Sequence, residues 1–360
     1  MSNSPAVPTA PPAKAPSRVW KIVKNVLLVL VTLALAVVAA GVIYQAVGTW
    51  HDARQFPQPG RSINLGPDFG NESLNIDCTG SGNPTVILDT GLGVPAAGWN
   101  LVQPEVAKFA RVCSYDRAGY GWSTPGPMPR TSDEIARELH ALLVSSGEKG
   151  PYVFVAHSFG GYNVRVYTGK YPTEVAGLVL VDTSHEDQVN RMSPALRAMS
   201  QNESKNMESQ RKFFPLLVFF GIARWSQGRQ FDPRLPHDFQ EEVRYLQLQP
   251  KYLDAIMSEL AYFDESANEV RAAGTLGDRP LVVLTAGKNP DPKLLPENIP
   301  MKDWEDFHDI WVKDLQVREA HLSTRGKQII VPDSTHMIPF ERPDTVISAI
   351  HEVCDAVKNK

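Results

Sequence analysis

The chain has 360 residues, 42% hydrophobic and 21% charged, and 36 basic residues set against 40 acidic ones leave a formal net charge of −4. That length can bury a substantial core, and the composition excludes collagen-like and wholly disordered chains. The near-even charge balance lacks the basic surface of a nucleic-acid binder, and three cysteines without a C-x-x-C pair exclude a disulfide-rich scaffold and give no structural zinc site.

Pro5, Pro8, Pro11, Pro12 and Pro16 stand among Ser and Ala at the start of the chain. Such a composition buries little, so residues 1–20 are expected to form a disordered cytoplasmic tail. From Val26 to Val47 no side chain is charged. As a helix this run extends roughly 33 Å, matching a hydrocarbon core of about 30 Å, and a transmembrane helix is expected over 21–48. Lys14, Arg18, Lys21 and Lys24 crowd its N-terminal side, while Asp52 partly offsets His51 and Arg54 beyond it. The positive-inside bias then keeps the N-terminus cytoplasmic and the remainder outside the cytoplasm, giving a single-pass signal-anchor protein. Trp20 on one flank and Tyr44 with Trp50 on the other suit the two interfaces. The competing reading is secretion after signal cleavage at the small residues Ala46-Val47-Gly48, although the apolar run exceeds the usual length of roughly 7–15 residues. Residues 49–60, with Pro57, Pro59 and Gly60, read as a linker.

Beyond it the pattern alternates. Ser62–Leu65 and Ser73–Asp77 read as a leading antiparallel pair of strands. Further short apolar, β-branched runs follow at Thr85–Leu88, Arg111–Tyr115, Tyr152–Ala156, Gly177–Val181, Leu281–Leu284 and Gln328–Val331. Amphipathic stretches at Thr131–Ser146, Asn163–Lys170 and Pro343–Val357 lie between or after them. Strands alternating with helices predict an α/β architecture: a mostly parallel, eight-stranded sheet covered by helices on both faces. The alternation breaks over 186–278, which is helix-like and rich in Gln, Glu and Arg, and reads as a helical cap inserted between core segments 61–185 and 279–360.

The strongest local signal is Val153-Phe154-Val155-Ala156-His157-Ser158-Phe159-Gly160-Gly161, a buried strand running into a serine and two glycines that open a helix. A serine at such a sharp turn exposes its hydroxyl, provided the residues two before and two after are small, as Ala156 and Gly160 are. The segment resembles the G-x-S-x-G nucleophile elbow of the α/β-hydrolase family, departing from it only in Ala156 at the first position. Other segments agree with the resemblance. Asp89-Thr90-Gly91-Leu92-Gly93 stands where the family has its oxyanion loop, which implies that the amides of Leu92 and Phe159 are the donors. Tyr115-Asp116-Arg117-Ala118-Gly119-Tyr120-Gly121-Trp122-Ser123 is similar to the family's D-x-x-G-x-G-x-S loop, whose role there is mainly structural. Ser334-Thr335-His336-Met337-Ile338 after the last strand resembles the loop of the family's catalytic histidine.

Serine is a poor nucleophile until an imidazole takes its proton and a carboxylate holds that imidazole in the right tautomer. The resemblance implies Ser158 as nucleophile and His336 as base. The expected acid is Asp182, at the end of the strand after the elbow helix; the alternative is Asp291, one residue late for the family's usual place after the penultimate strand. His157 reads as a packing residue, and His140, His237, His308, His321 and His351 as surface residues. His185-Glu186-Asp187 hints at a metal site that no second cluster completes, so it reads as a solvated loop. A serine at the elbow argues against dehalogenase and epoxide hydrolase chemistry, for which the family uses an aspartate. The absence of GxxxxGK[ST] and of a strand-linked GxGxxG leaves no nucleotide cofactor implied.

Cys78 and Cys113 fall on segments that the family places on neighbouring strands, where they form either a disulfide or two small buried hydrophobes. Phe213–Trp225, too short to span a bilayer, either lines an acyl pocket, touches the membrane surface or packs within the cap. The expected activity is cleavage of an ester-like small molecule, with an apolar acyl or aryl group, without cofactor or metal. Alternatives are another reaction on the same residues (thioester or amide cleavage, or a lyase) and a non-catalytic binding protein of the same fold.

Overall fold

The computed structural model describes residues 17–227, 235–289, 292, 295, 296 and 299–359. Eight strands form one sheet: β1 (Arg61–Asn64), β2 (Ser73–Thr79), β3 (Thr85–Asp89), β4 (Val112–Tyr115), β5 (Tyr152–His157), β6 (Val175–Val181), β7 (Leu281–Ala286) and β8 (Gly326–Val331). Their order is β1-β2-β4-β3-β5-β6-β7-β8. The pairs β1–β2 and β2–β4 are antiparallel, and every later pairing is parallel.

The central strands β3, β5 and β7 are buried along their whole length. Their near-continuous apolar sequence reflects helices on both faces. Along β5 the side chains divide by parity. Tyr152, Phe154 and Ala156 join the core that contains Leu139, Tyr162 and Val270. Val153 and Val155 join the opposite core, with Trp99, Val346 and Ile350. The first face is covered by helices Ser132–Ser146, Gly160–Lys170 and Phe263–Ala273, and the second by the C-terminal helix Pro343–Lys358.

Between β6 and β7 the chain builds helices Pro194–Arg211, Phe214–Phe219, Ile222–Gln227, His237–Gln247, Pro250–Ala261 and Phe263–Ala273, with no strand among the described residues. Cys78 and Cys113 stand opposite each other in the β2–β4 register and are disulfide-bonded, while Cys354 is free and buried.

The N-terminal region differs from the sequence reading at its boundaries. One uninterrupted helix spans Arg18–Gln55, capped by the Ser17 hydroxyl, which accepts from the Trp20 amide at 3.2 Å. It is long and apolar enough to cross a membrane. It also consumes the first half of the expected linker and ends only where Pro57 disfavours helical geometry at Phe56. Of the expected tail, residues 1–16 lie outside the described residues.

Candidate active site

β5 delivers Ser158 into a sharp bend before helix Gly160–Lys170, and the serine takes a φ of 53°, a left-handed conformation that a side chain rarely adopts. Its amide donates to the Val181 carbonyl at 3.2 Å, and its own carbonyl accepts from the Gly161 and Ser184 amides, both at 3.0 Å. Glycine is required two residues on: a Cβ at Gly160 would stand 2.8 Å from the Thr90 oxygen and 2.9 Å from that of Asp89. The elbow is thereby clamped between the ends of β3 and β6.

Asp182 directly follows β6, also with a left-handed φ of 46°. Its Oδ1 accepts from the Ala286 amide at 2.9 Å and from Trp311 Nε1 at 2.8 Å, while Oδ2 meets His336 Nδ1 at 2.6 Å. Burial pushes this carboxyl up, but the hydrogen bond and charge of His336, with the donors on Trp311 and Ala286, outweigh it and hold Asp182 below the ordinary aspartate value. Of the two candidate acids, then, Asp182 contacts His336; Asp291 lies outside the described residues.

His336 follows β8 on a loop fixed from two sides. The Glu341 carboxylate accepts from the Thr335 amide at 2.6 Å and from the Thr335 and Ser334 hydroxyls at 3.0 Å. The His336 carbonyl meets Nε2 of His157 at 2.9 Å; since a carbonyl only accepts, that nitrogen carries the proton. Burial, reinforced by the neighbouring His336, pushes His157 down to about 3, so its ring is neutral. His157 is thus more than packing, because it ties the histidine loop to the elbow.

Two amides, that of Leu92 in the loop after β3 and that of Phe159 in the elbow after β5, donate to no acceptor among the described residues. Around Leu92 the backbone is held rigidly. Arg117 donates to the Thr90 carbonyl at 2.8 Å and to that of Gly91 at 3.0 Å, and pairs with Asp89 and Glu259, each at 2.9 Å. The Tyr120 hydroxyl accepts from the Gly93 amide at 3.1 Å and donates to Glu259 at 2.7 Å, while Tyr252 donates to the Gly93 carbonyl. These side chains are all buried. Glu259 and Tyr252 come from helix Pro250–Ala261, so an inserted helix reaches down to set the loop; nothing local in sequence pairs residues 142 apart. Replacing Glu259 by Ala is expected to cost about 3 kcal/mol, the low end for a broken buried ion pair, because Asp89 still partners Arg117. Equilibrium urea unfolding of the full chain in detergent measures it, and a wild-type midpoint would contradict the coupling.

Ser158, Asp182 and His336 line one cavity of about 500 Å³, together with Met192, Met337 and an aromatic wall. The wall is Trp304, Phe307 and His308 on helix Met301–Ile310, continued by Trp311 in the single π-turn that follows. The sequence reading missed these residues, although their i, i+3, i+4, i+7 spacing marks one helical face. His308 is therefore not a surface residue as expected: it lines the chamber, with its Nε2 and the Nε1 of Trp304 lacking partners there. His185-Glu186-Asp187 is not a solvated loop either, since His185 is buried and Glu186 pairs with buried Arg165 at 2.7 Å. No residue of Phe213–Trp225 lines this cavity.

Comparison with known proteins supplies the class. A family model described as the alpha/beta hydrolase family matches residues 86–349, and the chain belongs to that family. The Bacillus subtilis (strain 168) protein YqjL is 24% identical over 275 residues, which are 76% of this chain and 85% of YqjL. YbdG of the same organism is 27% identical over 165 residues; the match takes in 45% of this chain and only 50% of that relative's length. Among solved structures, a thermophilic esterase from Thermogutta terrifontis aligns with a TM-score of 0.57 at 24% identity, over 82% of this chain and 98% of that one, a likeness of fold.

Proposed function

We propose that this protein is a membrane-anchored serine hydrolase that cleaves an ester-like small molecule with an apolar acyl or aryl group. The observation that carries the reading is the 2.6 Å contact of Asp182 with His336 Nδ1 on the wall of the cavity that Ser158 also lines. Asp182 holds the proton on Nδ1, which leaves Nε2 to accept one. Ser158 Oγ attacks the substrate carbonyl carbon as His336 takes the hydroxyl proton. The carbonyl oxygen becomes an oxyanion and receives hydrogen bonds from the Leu92 and Phe159 amides, each donor contributing about 10²–10³-fold in rate. Protonated His336 returns its proton to the departing alcohol oxygen as the C–O bond breaks, leaving an acyl-serine. Water, deprotonated in turn by His336, releases the acid and restores Ser158. The aromatic and methionine wall favours apolar acyl or aryl groups. A route through an alkyl-enzyme ester, as for an epoxide or haloalkane, needs a carboxylate nucleophile where this chain has Ser158.

The test is a panel of p-nitrophenyl esters of increasing chain length, assayed alongside thioesters, amides and epoxides. The reading expects turnover of esters with kcat/KM rising with apolar chain length before it falls. Turnover confined to the thioesters or amides would move the assignment to another reaction, and turnover of none would favour a binding protein.

The N-terminal helix is read as a single span, N-terminus inside and hydrolase domain outside the cytoplasm, with Lys21 and Lys24 on its cytoplasmic flank. The Cys78–Cys113 disulfide supports an oxidising compartment for that domain. In inside-out vesicles the domain is expected to survive added protease; its digestion there would contradict the orientation.

A further inference from the structure

The N-terminal helix does not stand apart from the rest of the molecule; it is docked against the inserted helices, and the docking fixes their depth. At Gly41 the helix meets the backbone of the turn Phe220–Gly221 so closely that a Cβ on Gly41 would lie 2.3 Å from the Phe220 oxygen. Further along, Arg224 inserts its buried guanidinium against the same helix. It pairs with Asp52 at 2.6 Å, donates to Gln45 at 3.1 Å and Thr49 at 3.3 Å, and fills the space over Gly48, where a Cβ would stand 2.7 Å from its Cζ. Asp52 is the one residue of the 38-residue helix that is buried. A buried charge pair, together with one close backbone approach at Gly41 and the Arg224 side chain packed over Gly48, sets both the height and the roll of this contact.

The heights can be read from the helix rise. Gly41 lies six residues before Val47, the end of the apolar run, hence about 9 Å inside it; Asp52 lies about 7.5 Å beyond. The turn Phe220–Gly221 therefore sits level with the apolar part of the span, and the Arg224–Asp52 pair at its outer edge. Phe213, Leu216, Phe219, Ile222 and Trp225, on or just before the two short helices on either side of that turn, are each 49–62% exposed, and the turn itself lies against Tyr44 of the N-terminal helix, 48% exposed. An apolar patch continuous with a spanning helix, at a depth of about 9 Å, matches the roughly 5–10 Å by which interfacial helices enter a bilayer.

We propose that Phe213–Trp225 is a second membrane contact: this face is immersed in the outer half of the same phospholipid bilayer that the N-terminal helix crosses, so that the inserted helices ride at the lipid surface. The inference rests on the reading of that helix as a span. It deepens the membrane assignment by naming a catalytic-domain surface and its partner.

The test uses the full chain reconstituted in phosphatidylcholine–phosphatidylglycerol vesicles, with a nitroxide attached singly to Leu216→Cys, Phe219→Cys, Leu33→Cys within the span, or Val144→Cys on an exposed core helix. The native cysteines are bonded or buried and leave the label to the new thiol. Collision rates with oxygen, which concentrates in lipid, and with a water-soluble nickel chelate are compared. The proposal expects positions 216 and 219 to match position 33, oxygen-rich and chelate-poor, and position 144 to show the reverse. Chelate access at 216 and 219 like that at 144, with position 33 still lipid-like, overturns the proposal and leaves the anchor standing. Chelate access at position 33 removes the anchor and the proposal with it. Spin–spin broadening at 216 and 219 with little access to either reagent would mean that a second copy, not lipid, covers the face, and also overturns the proposal.

Discussion

Ser158→Ala is expected to lower kcat for the best ester by about 10⁶-fold, with little change in stability. The loss is large because the hydroxyl, the imidazole and the carboxylate act as one unit, and without the nucleophile the others have nothing to activate. What remains is the contribution of the Leu92 and Phe159 amides and of substrate binding, so residual turnover above the uncatalysed rate is expected with KM nearly unchanged. Removing Oγ from a left-handed residue at a turn relieves no strain and breaks none of the backbone bonds that hold it, since those use its amide and carbonyl. Loss of folding in this variant would indicate a structural role for the side chain that the elbow does not require. Steady-state kinetics with circular dichroism on the same preparation separates the two outcomes.

Asp182→Asn is expected to lower kcat by about 10⁴-fold, through the tautomer of His336. The side-chain amide has only one orientation open to it. Both the Ala286 amide and Trp311 Nε1 donate to the Oδ1 position, so the asparagine oxygen must stay there and its NH₂ must face His336. A donor at that place forces Nδ1 to accept, which moves the imidazole proton to Nε2, the nitrogen that has to receive the serine proton. The variant keeps its hydrogen-bond count and is expected to stay folded. It also removes the charge that stabilises the imidazolium, so the fall appears in kcat and not in KM. Asp291→Asn, by contrast, is expected to leave turnover within a few-fold of wild type. The reverse pattern would reassign the acid.

How much of this was legible in the sequence differs by residue. The strands β3, β5, β6 and β7 announce themselves because strands buried on both faces admit almost nothing but apolar side chains. Ser158 was readable from the small residues that its bend demands, and the His336 loop from its place after the last strand. The Asp182–His336 contact was legible only as the favoured of two choices: it joins residues 154 apart, and an aspartate at a strand end has the same local sequence whether or not a histidine reaches it. Glu259 and Tyr252 were hidden for the same reason, since only the packing of an inserted helix brings them to the loop after β3. The Trp304–Trp311 face was visible as a helical stripe, but its spacing does not say which surface it covers. Arg224 and Asp52 lay in segments read separately as cap and linker, and the helix that joins them ran several residues past the expected end of the span.

The central claim is that the Ser158 hydroxyl is an activated nucleophile, and its most direct measurement is labelling of the full chain with a fluorophosphonate, followed by mass spectrometry of the modified peptide. The account predicts one phosphonyl adduct, on Ser158, absent in Ser158→Ala and strongly slowed in His336→Ala. An adduct on another serine, or labelling that persists unchanged in Ser158→Ala, would contradict it.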